Sequence, residues 1–408
     1  MDEIGRSYLT LALNVDRHFE GFVDAYFGPP QLQARAATGE PRPLESLADD
    51  ALQLRTAIET SDYDPQRKGF LVRQIRAMTA VIRSLRGDRL GFVEEVELYF
   101  DITPEMTDEA LFAAAHAEMD RLLPGDGALV ERVATWKRGL ELEPGRVMRV
   151  FELACQETRR RTLALFDLPP GEDLSLQLVA EQPWAAYNWY LGDYRSRIDL
   201  NTDLPLHAHS AVSLLAHEAY PGHHTEHAIK EYRLYRQQGR AEHAIQLLLA
   251  PECVLSEGIA DNAQRVILTD PQLVAFLRDQ LYPEARLTGV DVEQQIRLGK
   301  ASEKLRWVGC NAALLLHREG RPPDEVQQYI ERYGLRTPQE AKQTMKFIQN
   351  PLFRSYIFNY ATGKALLAPL LEGADAVDNF RRLLSEPLTP TQVRQWRTER
   401  EAALAGKA

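Results

Sequence analysis

Apolar residues recur every three or four positions along most of the chain, which is the spacing of one face of an α-helix. This pattern predicts one helix over residues 4–26 and, after a loop rich in glycine and proline, further helices over most of 44–166. It returns after residue 240, where helices are predicted over 241–249 and over most of 271–348. The fold is therefore predicted to be mainly α.

Two shorter segments depart from the helical spacing. Residues 174–179 alternate apolar and polar positions, and 187–201 read as a second extended segment, so both are predicted to be strands of a small sheet. The change of pattern near residue 170 also divides the chain. A length of 408 residues exceeds what one core usually supports. We therefore expect an N-terminal helical lobe over 1–170 and a second helical lobe over 171–408.

The second lobe contains a histidine-rich stretch. Seven of the ten histidines fall between His207 and His243. The densest part begins at His217 and reads His-Glu-Ala-Tyr-Pro-Gly-His-His-Thr-Glu-His. Imidazole is the commonest protein ligand for metals near neutral pH. A His-Glu pair at the end of an apolar helix, followed closely by further histidines, is how zinc hydrolases present their ligands. The stretch therefore predicts a metal centre.

The spacing within this stretch departs from the usual zinc signature, in which the two histidines lie four residues apart. Four residues after His217 stands Pro221, which removes a backbone donor, and Gly222 beside it makes a helix break easy. We predict that this Pro-Gly pair acts as a two-residue insertion that brings His223 to the position of the second ligand. His224, which would share the helical face of His217, is the alternative.

Glu257 is the candidate third ligand. It lies 34 residues after His223, which allows one loop and an antiparallel helix that returns a carboxylate to the histidines. Gly258 follows it inside an apolar helical stretch, where glycine costs about 1 kcal/mol unless the backbone closely approaches a neighbour. Asp261, one turn further, is a candidate to accept a hydrogen bond from a ligand histidine.

Composition narrows the range of partners and compartments. The net charge of -11 argues against a nucleic-acid partner, which would require a basic surface. The chain has no run of roughly 18 apolar residues and begins without a basic segment followed by an apolar one, so we expect neither membrane association nor a signal peptide. The three cysteines are far apart and are expected to be reduced thiols of a cytoplasmic protein. The sequence leaves the oligomeric state open.

Three blocks of this sequence, taken in order, resemble a known family. They are His217-Glu218-x-x-Pro221-Gly222-His223-His224, Glu257-Gly258-x-Ala260 and Tyr360-x-x-Gly363. Together they are similar to the bacterial family catalogued as domain of unknown function 885, which groups with the gluzincin metallopeptidases. The resemblance covers residues from about 180 to 370. The Gly222-His223 step is also similar to the zinc helices of angiotensin-converting enzyme and thimet oligopeptidase, and this similarity favours His223 over His224 as the ligand.

The resemblance implies a zinc-dependent peptidase. Its two helical lobes would flank a deep cleft that admits short peptides, with the small sheet beside the zinc-binding helix and the second lobe carrying the catalytic site. Zn²⁺ would be bound by His217, His223 and Glu257, and Glu218 would act as the general base that takes a proton from the attacking water.

The resemblance also implies a donor for the oxyanion that develops during hydrolysis. Tyr360 is the candidate, and Tyr356, one turn earlier, is the alternative. Two other functions stay open at this stage. A zinc amidase or esterase acting on a non-peptide substrate would use the same site, and a non-catalytic helical binding module would keep the scaffold alone. The expected partner is a small peptide or amide substrate.

Overall fold

The computed structural model describes residues 1–182, 184, 186–203 and 205–405. Helices account for most of these residues, so the predicted mainly α fold is confirmed. The α-helices are, in chain order, Glu3–Asp16 (α1), Pro30–Ala37 (α2), Leu44–Thr60 (α3), Pro65–Leu85 (α4), Phe92–Phe100 (α5), Glu109–Leu122 (α6), Leu129–Arg138 (α7), Val147–Leu163 (α8), Ala208–Glu218 (α9), His223–Lys230 (α10), Glu252–Ile267 (α11), Asp270–Phe276 (α12), Tyr282–Ala285 (α13), Val292–Ser302 (α14), Trp307–His317 (α15), Pro323–Gly334 (α16), Pro338–Gln349 (α17), Ile357–Leu367 (α18), Ala376–Ser385 (α19) and Pro390–Ala405 (α20).

Helix α3 shows how the apolar spacing becomes structure. Its buried residues return after four, three and four positions, which places them on one face of the helix. They are Leu47, Ala51, Leu54 and Ile58. Tighter or wider turns extend or connect several of the α-helices. These are the π-helical segments Glu231–Gln237 and Leu277–Leu281 and the 3₁₀ turns Pro144–Arg146, Ala241–Ala244, Glu303–Arg306 and Ala368–Leu371.

The strands form two small sheets. They are Val23–Tyr26 (β1), Asp173–Val179 (β2), Ala186–Gly192 (β3), Arg195–Asn201 (β4) and Ile245–Leu247 (β5). In the three-stranded sheet β4 lies in the middle, parallel to β2 and antiparallel to β3, so β2 and β3 are its edges. Strands β1 and β5 form a separate antiparallel ribbon.

Buried apolar side chains form two large cores. The first core packs α1, α3, α4 and α5 against β5 and against residues of α15–α18. The second core packs α8, α9 and β4 against α12, α19 and the end of α18. Helix α11 contributes to both, with Cys253 and Val254 in the first core and Leu255 and Ile259 in the second. The division of the chain into lobes near residue 170 stays a prediction.

Two of the helix predictions made from the sequence are wrong in part. The first helix ends at Asp16, and its predicted continuation contains β1. The segment predicted as a helix over 241–249 is a 3₁₀ turn followed by β5. The two strands pair with each other although they are far apart in the chain, so neither carries a local signal for its partner. In the described part of the chain, no helix combines the length and the apolar character needed to cross a bilayer.

Candidate metal centre

The chain turns back on itself between α9 and α10. Helix α9 ends at Glu218 and α10 begins at His223. Gly222 lies against the last turn of α9, where an added Cβ atom would stand 1.8 Å from the carbonyl oxygen of His217. No side chain fits in that space, so the turn requires glycine. The helix therefore breaks at the Pro-Gly pair, where the sequence predicts a break.

The break brings His223 beside His217, with the two ring centroids 4.7 Å apart. Glu257, on α11, faces both rings. Its Oε2 atom lies 3.4 Å from Nε2 of His217 and 3.9 Å from Nε2 of His223. One ligand atom from each of the three residues lies within 4.8 Å of the other two. Two separate motifs of the sequence thus meet at one place.

The donor atoms of this cluster suit a metal ion. Two imidazole nitrogens and one carboxylate oxygen form the ligand set of many catalytic zinc sites. Within the described residues, the buried Oε2 atom of Glu257 forms no hydrogen bond. An unpaired buried carboxylate oxygen is unfavourable, and a cation between it and the two imidazoles would remove the penalty. The cluster of His217, His223 and Glu257 could therefore hold a metal.

Asp261 supports His217 from the side opposite Glu257. Its Oδ1 atom lies 3.3 Å from Nδ1 of His217, and Arg306 donates a hydrogen bond to its other oxygen. Burial lowers the pKa of His217, but the neighbouring carboxylates of Asp261 and Glu257 outweigh burial and raise this pKa well above its usual range. A carboxylate on the far nitrogen is the usual partner of a metal-ligating histidine, because it fixes the tautomer and the ring orientation.

His223 is oriented by a chain of hydrogen bonds. Its Nδ1 atom lies 3.0 Å from Oγ of Ser256. Ser256 donates to Oε2 of Glu226 at 2.7 Å, and Lys230 donates to the other oxygen of that carboxylate at 2.5 Å. Because the serine hydroxyl donates to Glu226, the serine oxygen accepts a hydrogen bond from Nδ1–H of His223. Nε2 of His223 is then unprotonated and available to a metal.

His224, the alternative ligand, faces the other side of α10. Its Nδ1 atom lies 2.8 Å from Oγ of Ser196, and its Nε2 atom lies 3.1 Å from Oε2 of Glu172. Burial raises the pKa of Glu172, but the hydrogen bonds from His224 and from Arg159 and Tyr220 outweigh burial and lower this pKa to about 2. Both ring nitrogens of His224 therefore have partners outside the cluster of His217, His223 and Glu257.

Two tyrosines approach the cluster from the α18 side. Tyr356, just before α18, donates a hydrogen bond to Oε1 of Glu257 at 2.8 Å. Tyr360 lines the same cavity one turn later, and its hydroxyl has no hydrogen bond to another residue in the described ranges. Burial, followed by the charge of Glu257, raises the pKa of each tyrosine well above its usual range. Both hydroxyls are therefore protonated at neutral pH and can donate.

Glu218 lies on the wall of a cavity of about 500 Å³, together with His217, His223 and Glu257. Its backbone carbonyl accepts a hydrogen bond from Nδ2 of Asn188 at 2.6 Å. Asn188 belongs to β3, an edge strand of the three-stranded sheet. An edge of the small sheet therefore runs beside the helix that carries His217, as expected from the sequence.

Other residues of the cavity lie outside the sequence motifs. They include Asp24, Tyr187, Lys230 and Glu252. Burial raises the pKa of Glu252 to about 7. Asp24 stands on β1, within a segment predicted to be helical, so the sequence offered no signal for its position. These residues reach the cavity through long-range packing rather than through a local pattern.

Comparison with known proteins gives a fold and no family. No family model and no curated protein matches this chain. Among solved structures, it is similar to a Colwellia psychrerythraea protein described as a candidate lipoprotein, with a TM-score of 0.52 and 14% identity over 86% of this chain. The chain spans 66% of the length of that protein. At this identity the likeness shows a shared fold alone.

Two further structures are less similar. A candidate lipoprotein of unknown function from Shewanella oneidensis has a TM-score of 0.49 and 12% identity, over 90% of this chain and 75% of that chain. An M32 carboxypeptidase from Deinococcus radiodurans R1 has a TM-score of 0.39 and 14% identity, over 99% of this chain and 98% of that chain. These scores are too low to establish a shared fold. The resemblance of the motifs to the family catalogued as domain of unknown function 885 stays a hypothesis.

Proposed function

We propose that this protein is a zinc-dependent hydrolase that cleaves peptide bonds of short peptides, with His217, His223 and Glu257 as the metal ligands. The observation that carries the proposal is the convergence of one ligand atom from each of these residues within 4.8 Å, beside Glu218 on a cavity wall. The nitrogen-rich ligand set favours Zn²⁺ over Mg²⁺ and Ca²⁺, which prefer oxygen ligands.

When bound, Zn²⁺ supplies a Lewis acid that polarises a carbonyl group and makes water more acidic. The chain supplies the proton transfers. Glu218 follows His217 and is turned ~100° from it around the helix, which directs its carboxylate past the ligands. It accepts a proton from the attacking water as the new O–C bond forms, and it donates this proton to the leaving amine as the C–N bond breaks.

The two tyrosines take different roles in this proposal. Tyr360 donates to the carbonyl oxygen as negative charge develops there, because its hydroxyl faces the cavity and stays protonated. Tyr356 orients the third ligand instead, since its hydroxyl is already hydrogen-bonded to Glu257 at 2.8 Å.

The sheet edge and the cavity size support an extended, short substrate. Strand β3 pairs with β4 on one side only within its sheet. Its other edge offers backbone groups to which an extended peptide can add as a further strand. A cavity of about 500 Å³ accommodates a few residues rather than a folded chain.

The first experiment is elemental mass spectrometry on the purified protein. We expect one zinc per chain in the wild type, and loss of zinc in His217→Ala, His223→Ala and Glu257→Ala. The matched variant His224→Ala should keep zinc, and circular dichroism would verify that each variant is folded. Glu218→Gln should also keep zinc and lose about 10²- to 10⁴-fold of the peptide hydrolysis rate.

The results separate the competing functions. A protein that binds zinc and cleaves only non-peptide amides or esters would replace the peptidase by the alternative hydrolase. A folded wild type that takes up no zinc, even after reconstitution, would overturn the hydrolase proposal and support a binding module.

A further inference from the structure

Asp24 reaches the cavity at an irregularity of strand β1. Strands β1 and β5 pair on either side of Asp24, but Asp24 itself is an extra residue without a partner on β5. An extra residue of this kind is a β-bulge, which bends the strand and redirects a side chain. Asp24 lines the same cavity as Glu218.

The carboxylate of Asp24 lies half-buried on the cavity wall. The hydroxyl of Tyr187, on β3, donates a hydrogen bond to it. Over residues 1–182, 184, 186–203 and 205–405, Asp24 forms no ion pair with a lysine, arginine or histidine. Burial raises the pKa of Asp24, because an enclosed carboxylate is less stable in its charged form. A cation that arrives through the cavity would offset this penalty.

Asp24 is also close to the residues of the proposed reaction. Tyr187, which donates to it, immediately precedes Asn188, whose side chain donates to the backbone carbonyl of Glu218 at 2.6 Å. Of the neighbouring charged groups, His223 lowers the pKa of Asp24, whereas Glu257 and Glu218 raise it. A cation bound to Asp24 would therefore lie in the same cavity as the bond that is cleaved.

We propose that Asp24 binds the free α-ammonium group of the substrate, so that the protein cleaves short peptides near their amino end. This inference rests on the proposed hydrolase function, because it assigns one end of the substrate to that site. The α-ammonium is a cation that every unblocked peptide carries. It can form a charge-assisted hydrogen bond with the carboxylate that Tyr187 holds in place.

Within the described residues, neither of the two lysines that line the cavity forms an ion pair with Asp24. Of these two lysines, Lys230 is paired with Glu226 at 2.5 Å. The other, Lys346, is exposed and belongs to α17. Asp24 is therefore available to pair with a cationic group of the substrate.

A purely positioning role for Asp24 makes a different prediction. If Asp24 only orients Tyr187, its loss lowers the rate equally for all substrates. If it binds an ammonium group, its loss affects peptides with a free amino end and leaves blocked peptides unchanged. The ratio of the two rates therefore distinguishes the roles.

The test is digestion of a short-peptide library by the zinc-loaded protein, followed by mass spectrometry. The library is used in two forms, with free and with acetylated amino ends. We expect cleavage near the amino end of the free form, and a kcat/KM lower by roughly 10- to 100-fold for the acetylated form. Asp24→Asn should bring this ratio close to one, mainly through a higher KM for free peptides.

Two variants serve as controls. Tyr187→Phe keeps the carboxylate and should retain the preference for free peptides, even where the rate on both forms falls. Asp62→Asn replaces an exposed aspartate that does not line the cavity and should leave both rates unchanged. If Asp24→Asn does not fold, the rates of the wild type on the two library forms still show whether the protein prefers a free amino end.

Binding gives a second readout that needs no turnover. Calorimetry on zinc-loaded Glu218→Gln would compare trialanine with N-acetyl-trialanine, and we expect tighter binding of the free form that disappears when Asp24→Asn is added. Equal cleavage and equal binding of the two forms would overturn the role of Asp24 and leave the hydrolase proposal intact. Selective binding without cleavage of any peptide would overturn the hydrolase proposal and still support an ammonium site at Asp24.

Discussion

Gly258 and Gly363 lie back to back where α11 crosses α18. A Cβ atom added to Gly258 would stand 2.6 Å from the carbonyl oxygen of Gly363, and one added to Gly363 would stand 2.8 Å from the backbone nitrogen of Gly258. The two backbones can approach this closely only because neither residue has a side chain. The contact fixes Glu257, which precedes Gly258, relative to Tyr360, which stands one turn before Gly363.

Gly258→Ala should therefore separate the two helices. We expect a loss of about 1–3 kcal/mol in the free energy of unfolding, because the new methyl group overpacks the crossing, and a lower zinc content, because Glu257 moves. Chemical denaturation and elemental analysis would measure the two effects. Gly299→Ala is the matched control, since a Cβ atom there meets nothing within 4 Å and alanine should stabilise α14 by up to about 1 kcal/mol. Equal stability of the two variants would contradict the packing argument.

Ser256→Ala removes the hydroxyl that accepts a hydrogen bond from His223 and donates one to Glu226. We expect the protein to stay folded and its affinity for zinc to fall by about 10- to 100-fold, the usual effect of losing a partner of a ligand histidine. Competition with a chelator would measure this change. Ser213→Ala, on the exposed face of α9, should leave the affinity unchanged. Unaltered affinity in both variants would show that the serine does not orient His223.

Replacement of Tyr360 and replacement of Tyr356 should have different effects on the protein. Tyr360→Phe should keep zinc and lower kcat by roughly 100-fold, because it removes one donor to the oxyanion. Tyr356→Phe should instead weaken zinc binding, because it removes the hydrogen bond of 2.8 Å to Glu257. Steady-state kinetics and zinc competition on both variants would measure this. The opposite pattern would assign the oxyanion to Tyr356.

The charge of Glu172 should make the free energy of unfolding depend on pH. Its pKa is about 2 in the folded protein against an ordinary value of 4.5. Because this pKa is lowered, the charged form of Glu172 adds roughly 3 kcal/mol to the free energy of unfolding. This contribution is complete above pH 4.5 and is lost as the pH falls toward 2. The difference in unfolding free energy between wild type and Glu172→Gln should shrink over that range.

Denaturation at a series of pH values would measure the difference. Glu40→Gln replaces an exposed glutamate and should show a small difference that does not vary with pH. A constant difference between wild type and Glu172→Gln from pH 5 downward would mean that the charge of Glu172 does not stabilise the fold.

Local patterns predicted the helices well. Helix α3 spans Leu44–Thr60 in the structure, the same residues that the apolar spacing predicts, because its signal lies within the segment. Likewise, each of the three blocks that contain His217, Glu257 and Tyr360 is a short motif, and each carries its own chemistry. The structure adds how these blocks meet.

Long-range pairing could not be predicted. Val23 pairs with Leu247, and nothing in either segment indicates the other, so the ribbon and the position of Asp24 were missed. The extended segment 187–201 also concealed a hairpin. Its turn places Asp193 and Tyr194 at φ 51° and 61°. The dipeptide Gly192-Asp193 is a turn signal at this boundary, so the division between β3 and β4 could have been predicted.

The sharing of α11 between the two cores has a mechanical consequence. The ribbon that carries Asp24 packs with the first core, and His217 follows residues of α9 that belong to the second. A peptide that is bound at its amino end by Asp24 and cleaved near His217 would contact residues attached to both cores. A bound substrate should then make the two cores unfold as one unit and slow their separation.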